Sequence, residues 1–128
     1  MIKKNILVIY PEEDVTKIAV YRNTEPLFLK TIRHSIDTLN GFDHFTEQIE
    51  LRLNSIIEEL ENNGLHLNEI EIIMGRSGLM KPVKQGVYEI TATMIEDLKE
   101  GAMGMHATNL GGLISYHMAQ KLGIKAYV

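Results

Sequence analysis

The chain has 128 residues, of which 45% are apolar and 23% charged, with a net charge of −4 and no cysteine. That is enough chain to bury one core but too little for two lobes with a cleft between them. The acidic balance excludes a sequence-independent grip on nucleic acid or anionic membrane, and the missing thiols exclude disulfides, thiolate metal sites and cysteine nucleophiles.

The basic start Met1-Ile-Lys-Lys-Asn precedes an apolar run, Ile6 to Tyr10, that is too short for a secretory core and is followed by acids. No stretch approaches the roughly 20 apolar residues of a membrane span. A single soluble, cytoplasmic domain over residues 1–128 is the expectation. Asn5-Ile-Leu-Val-Ile-Tyr10 is continuous and β-branched, the pattern of a central strand buried on both faces. Val15 to Tyr21 follows, with Ile18 and Val20 on one face and Lys17, Ala19 and Tyr21 on the other. Arg22 to Pro26 is a turn signal, and Leu27 to Arg33 completes an antiparallel meander. Asn40-Gly41 breaks the pattern, and Asp43 or Thr46 is placed to cap a helix on which Ile49, Leu53, Ile56, Ile57 and Leu60 recur, with Glu and Arg between them.

Asn62-Asn63-Gly64 supplies a left-handed stop. Ile70 to Met74 then reads as a short strand ending at Gly75, parallel to the first because a helical crossover precedes it. Lys81 to Thr91 suggests a small hairpin or extended excursion. Thr91 or Thr93 starts a helix through Glu100, and Thr93-Met-Ile-Glu96 fits a capping box. His106 to about Lys121 is a further helix with Leu110, Ile114 and Met118 inward; Gly123 ends it, and Ile124 to Val128 is the last strand. The order β-β-β-α-β-α-α-β predicts an α/β fold, a mixed five-stranded sheet with helices on both faces.

Three segments allow a closer reading. Gly75-Arg-Ser-Gly-Leu-Met-Lys-Pro-Val83, Gly86-Val-Tyr-Glu-Ile90 and His106-Ala-Thr-Asn-Leu-Gly111 resemble, in order and spacing, landmarks of the butyrate kinases, within the wider acetate and butyrate kinase family. Thr16-Lys-Ile-Ala-Val20 and Ile32-Arg-His-Ser35 are similar to that family's second and third strands. The resemblance spans essentially the whole chain and corresponds to the amino-terminal lobe. It implies the ribonuclease H-like arrangement of the actin-like kinases. It also implies, for a full-length enzyme, ATP- and Mg²⁺-dependent phosphorylation of a short-chain carboxylate such as butyrate, with most of the nucleotide site supplied by a second lobe.

Arg76 follows a strand predicted to be parallel, in the crevice where open α/β sheets bind ligands, and a guanidinium holds carboxylate or phosphate oxygens bidentately. The residues alone leave open a surface arginine in a Gly-Ser turn. The resemblance matches Arg76 to a contact with acyl phosphate or carboxylate, with Gly78 keeping the site uncluttered. His106, at a predicted helix start, reads without the resemblance as a capping or surface histidine. With it, His106 stands beside the transferring phosphoryl group, and Asn109 adds a hydrogen bond to substrate. Gly111 and Gly112 are expected to let the helix pack closely on the sheet. His34, His44, His66 and His117 lack metal-ligand spacing and read as surface or core residues, so no metal site is expected.

One departure from the family governs the functional reading. Butyrate kinases carry an Asn-Pro-Gly-Ser-Thr-Ser-Thr-Lys phosphate turn. This chain has Tyr10-Pro-Glu-Glu-Asp-Val-Thr-Lys17, which keeps Pro11, Thr16 and Lys17 and places Glu12, Glu13 and Asp14 between them. A phosphate cradle needs glycine, small hydroxyls and no negative charge. One carboxylate about 4 Å from a phosphate charge costs on the order of 4 kcal/mol at an effective dielectric near 20. A bridging Mg²⁺ is conceivable, but consecutive acids in a hairpin are more commonly a solvated loop. The expectation is a chain that, alone, takes no cofactor and catalyses nothing, with short-chain carboxylate or acyl phosphate as a possible ligand. It is also expected to expose an apolar face where a second lobe would sit, and hence to self-associate or to dock a second-lobe partner.

Overall fold

The computed structural model describes residues 4–42, 47–75, 89–90 and 110–127. β1 (Asn5–Pro11), β2 (Val15–Arg22) and β3 (Glu25–Arg33) form the expected antiparallel meander, and β4 (Ile72–Gly75) and β5 (Lys125–Tyr127) join it in parallel. The mixed five-stranded sheet has the order β3-β2-β1-β4-β5, with β1 pairing β4 parallel from Ile6↔Ile72 to Ile9↔Gly75. A short helix α1 (Ile36–Asn40) follows β3; α2 (Gln48–Asn62) and α3 (Leu110–Leu122) are the long ones among the described residues. A 3-10 turn, Leu67–Glu69, leads into β4. Neither α1 nor this turn announces itself in the sequence, because each is too short to show a period.

Alternation along the strands decides the layers. Leu7 and Ile9 of β1, Ile18 and Val20 of β2 and Ile73 of β4 turn to one face. There they meet Leu53, Ile56 and Leu60 of α2 and Leu110, Leu113, Ile114 and Met118 of α3 in one continuous core. Both long helices therefore share that face, pack against each other and bury the side chains their 3.6-residue spacing selects. The helix expected to end at Glu100 lies outside the described residues, as do Asp43 and Thr46. The helix stops fall where glycine permits a left-handed backbone: Gly64 has φ 77° and Gly123 φ 68°.

Lys17, Ala19 and Tyr21 share the opposite face with Ile6, Val8 and Tyr10. Glu89 and Ile90 attach to β5, Glu89 bridging Tyr127 antiparallel and the Ile90 N–H donating to the Ala126 carbonyl at 2.8 Å.

The closest approach of helix to sheet occurs at Gly75. A Cβ there would stand 2.3 Å from the Gly111 carbonyl oxygen and 2.4 Å from Ser115 Oγ. Gly75 thus admits the described start of α3 onto the end of β4; of the expected pair Gly111 and Gly112, Gly111 makes this approach. The contact buries Ser115 Oγ with no hydrogen-bond partner among the described residues. Gly75→Ala should lower unfolding free energy in urea by about 3 kcal/mol, since backbone must move to admit the methyl. Gly64→Ala meets no neighbour within 4 Å and should lose only about 1 kcal/mol, the strain of a left-handed alanine. Ser115→Ala should leave stability unchanged or raise it by up to about 1 kcal/mol, because it removes a buried hydroxyl that pairs with none of the described groups.

Candidate functional site

The acidic turn lies at the carboxyl end of β1, at the same end of the sheet as the carboxyl end of parallel β4. Gly75 and Leu110, which flank the other candidate residues in sequence, bound the packed contact between β4 and α3. Arg76, Gly78, His106 and Asn109 themselves lie outside the described residues. The part of the predicted site that is described is the turn and what holds it.

Pro11 closes β1 opposite Thr16, and both are buried. Glu12 donates its N–H to the Val15 carbonyl at 2.8 Å, which tightens the turn, while Glu13 and Asp14 are exposed. Lys17, on the outward face of β2, pairs with Glu12 through an Nζ–Oε1 contact of 3.1 Å. The pair is solvent-screened and contributes up to about 1 kcal/mol. Its consequence is chemical: the lysine that the resemblance sets at the close of a phosphate turn is engaged by a carboxylate of the turn itself.

Beneath the turn lies Arg52 of α2, fully buried. Its Nη2 donates to the Glu13 carbonyl at 2.8 Å and to Gln48 Oε1 at 3.0 Å. Nη1 donates to the Val15 carbonyl at 3.0 Å and to Thr16 Oγ1 at 3.2 Å, and Nε donates to Gln48 Oε1 at 3.1 Å. The five N–H groups of a guanidinium thus find acceptors, and all of these are neutral. Burial depresses the Arg52 pKa to about 10, an effect that the charge of nearby Asp14 partly opposes. The side chain remains cationic at neutral pH.

Thr16 Oγ1 also meets His34 Nε2 at 2.7 Å, and the His34 backbone N–H donates to the Asp14 carbonyl at 2.9 Å. Since Thr16 accepts from Arg52, its hydroxyl proton is free to go to an unprotonated Nε2. A neutral His34 is therefore the favoured state. Burial is the main cause of a lowered His34 pKa, the Arg52 charge lowers it further, and Asp14 opposes both. His34 and Arg52 form one polar cluster that closes the inner side of the turn. A cavity of about 430 Å³ opens beside it, lined by Glu13, Asp14, Ile36, Leu39, Asn40 and Gln48. Among the described residues no group of three His, Asp or Glu side chains is placed to hold a metal ion.

Sequence reasoning does not single out Arg52: it places Glu and Arg between the apolar residues of α2 and gives this arginine no role. A signal exists. Arg52 follows Ile49 by three residues and precedes Ile56 by four, which sets it on the buried stripe. His34, read as a surface or core histidine with no further role, instead anchors Thr16.

Arg52→Met should lower stability by about 3 kcal/mol or more in urea unfolding, because two backbone carbonyls, Thr16 and Gln48 lose their donors and cannot be replaced by apolar groups. Arg52→Lys should recover little of this, since an ammonium cannot serve acceptors spread around a planar fork. The His34 shift fixes a pH dependence. Its folded pKa lies below the unfolded value near 6.5, so the unfolded chain takes up the proton first as pH falls, and stability declines from about pH 6.5 downward. Urea midpoints measured from pH 8 to pH 5 should show this decline, and His34→Gln should flatten it.

No family model matches the chain. Among solved structures it is similar to an acetate kinase from Entamoeba histolytica, with a TM-score of 0.58 at 12% identity over 98% of this chain and 35% of that one. The chain thus spans about a third of the length of that enzyme. At this identity the likeness concerns the fold: the mixed sheet and its helices are built as part of an acetate kinase is built.

Proposed function

We propose that this chain is a carboxylate kinase-like domain, akin to the amino-terminal lobe of a butyrate kinase, whose phosphate turn no longer serves nucleotide, so that the chain alone transfers no phosphate. The observation that carries this reading is the orientation of the turn. A phosphate cradle presents N–H groups to the anion. Here the carbonyls of Glu13 and Val15 are drawn inward by Arg52, the N–H of Glu12 is taken up by Val15, and Lys17 is neutralised by Glu12. Glu13 and Asp14 then face solvent where the tail of a nucleotide would lie. Repulsion from outside and internal satisfaction from below act together.

The ordered matches at Arg76, Gly78, His106 and Asn109 support a remaining affinity for a small carboxylate or acyl phosphate. Arg76 would grip the oxygens, and His106 would steady a phosphoryl group when a second lobe is supplied. ATP and Mg²⁺ belong to that two-lobed assembly in this reading, not to the 128-residue chain.

The purified chain, incubated with ATP, Mg²⁺ and butyrate, should form no butyryl phosphate above the blank in a hydroxylamine-trapping assay. Amide resonances of Glu12 to Lys17 should stay fixed on titration with Mg-ATP, whereas butyrate or acetyl phosphate should shift those of Arg76 and His106. Turnover, or nucleotide-dependent shifts across the acidic turn, would refute the reading.

A further inference from the structure

We propose that the outer edge of β3 is a self-association surface that pairs antiparallel with β3 of a second copy, about a two-fold axis through Leu29. The proposal stands on the sheet edge and does not depend on the kinase reading. β3 ends the strand order and, among the described residues, pairs only with β2. The bond from the His34 N–H to the Asp14 carbonyl fixes which backbone groups are already used. In an antiparallel ladder the bonded residues alternate, so Ile32, Lys30 and Phe28 point their peptide groups at β2, opposite Thr16, Ile18 and Val20. The N–H and C=O groups of Leu29, Thr31 and Arg33 are left along the outer edge.

An exposed edge of this length is usually blunted by charge, proline or a covering element. Pro26 and the bulge at Leu27 blunt only the first part of β3, where the register with β2 shifts. Beyond it no described element covers the edge, and its middle is apolar: Leu29 is 69% and Leu27 41% exposed. Lone surface leucines are ordinary, but here both lie on the strand that ends the sheet.

Charge selects the occupant and its direction. β3 begins with Glu25 and carries its cations, Lys30 and Arg33, in its second half. An antiparallel second copy sets the acidic start of one strand beside the basic end of the other, whereas a parallel copy would stack cations on cations. With the axis at Leu29, the two Leu29 side chains meet on the same face and Thr31 faces the Leu27 position of the second copy. The contact is isologous and closes at two. The product is one sheet of twice the width, with α2 and α3 of both copies on a common side.

The test uses the 128-residue chain in light scattering and sedimentation at about 100 µM, the range suited to a small interface. A dimer is expected, and Leu29→Lys should raise its dissociation constant at least ~10-fold by placing two ammonium groups at the axis. The chain has no cysteine, so Leu29→Cys gives a clean geometric readout. It should oxidise to a covalent dimer, while Thr31→Cys, displaced along the strand from its symmetry mate, should not. A strict monomer would overturn the proposal. So would a dimer indifferent to Leu29→Lys, or cross-linking of the Thr31→Cys variant in preference to the Leu29→Cys variant. Should Leu29→Lys fail to fold, the two cysteine variants decide the matter alone.

Discussion

A guanidinium buried against neutral acceptors dictates the geometry of this molecule's most distinctive region. Taking Arg52 out of water is tolerable only if each of its N–H groups finds an acceptor. Side chains supply some of these, from Gln48 and Thr16, but two come from the main chain of the β1–β2 turn. That requirement ties α2 to the turn and fixes which way the peptide groups face. It also explains how a hairpin rich in carboxylates keeps a defined shape: the acids lie outside and the arginine's charge lies within. Asp14 acts on that charge from across the turn, and His34 is kept neutral by burial and by the arginine beside it.

Much of the scaffold was legible in the sequence because it rests on short-range periodicity. β1 and β2 follow from their β-branched runs, and the two faces of β2 from its alternation. α2 follows from Ile49, Leu53, Ile56 and Leu60, and its end from Gly64. The close packing of α3 on the sheet was legible at Gly111, but not that Gly75 receives it, where a side chain would not fit. The parallel placement of β4 beside β1 followed from the crossover rule alone.

The candidate site was less legible, for a physical reason. The Arg52 cluster is long-range: its acceptors at Glu13, Val15 and Thr16 lie in a separate hairpin, and two of them are carbonyls, which every residue possesses and none advertises. The position of Arg52 on the apolar stripe was the one available cue, and it competes with the ordinary rule that arginines face water. The acidic turn stands out in the sequence as a departure from a phosphate cradle, on the ground of repulsion alone. The structure adds the inward carbonyls and the Lys17–Glu12 pair, which occupy the turn's own groups before any anion approaches.

The contact between β4 and α3 has a topological consequence. The chain departs at Gly75 and re-enters at Leu110 against its own point of exit, and it is stitched to β5 on the way at Glu89 and Ile90. A side chain at Gly75 would therefore displace β4 and α3 at once, and β5, which pairs with the one and packs against the other, would lose its seat as well.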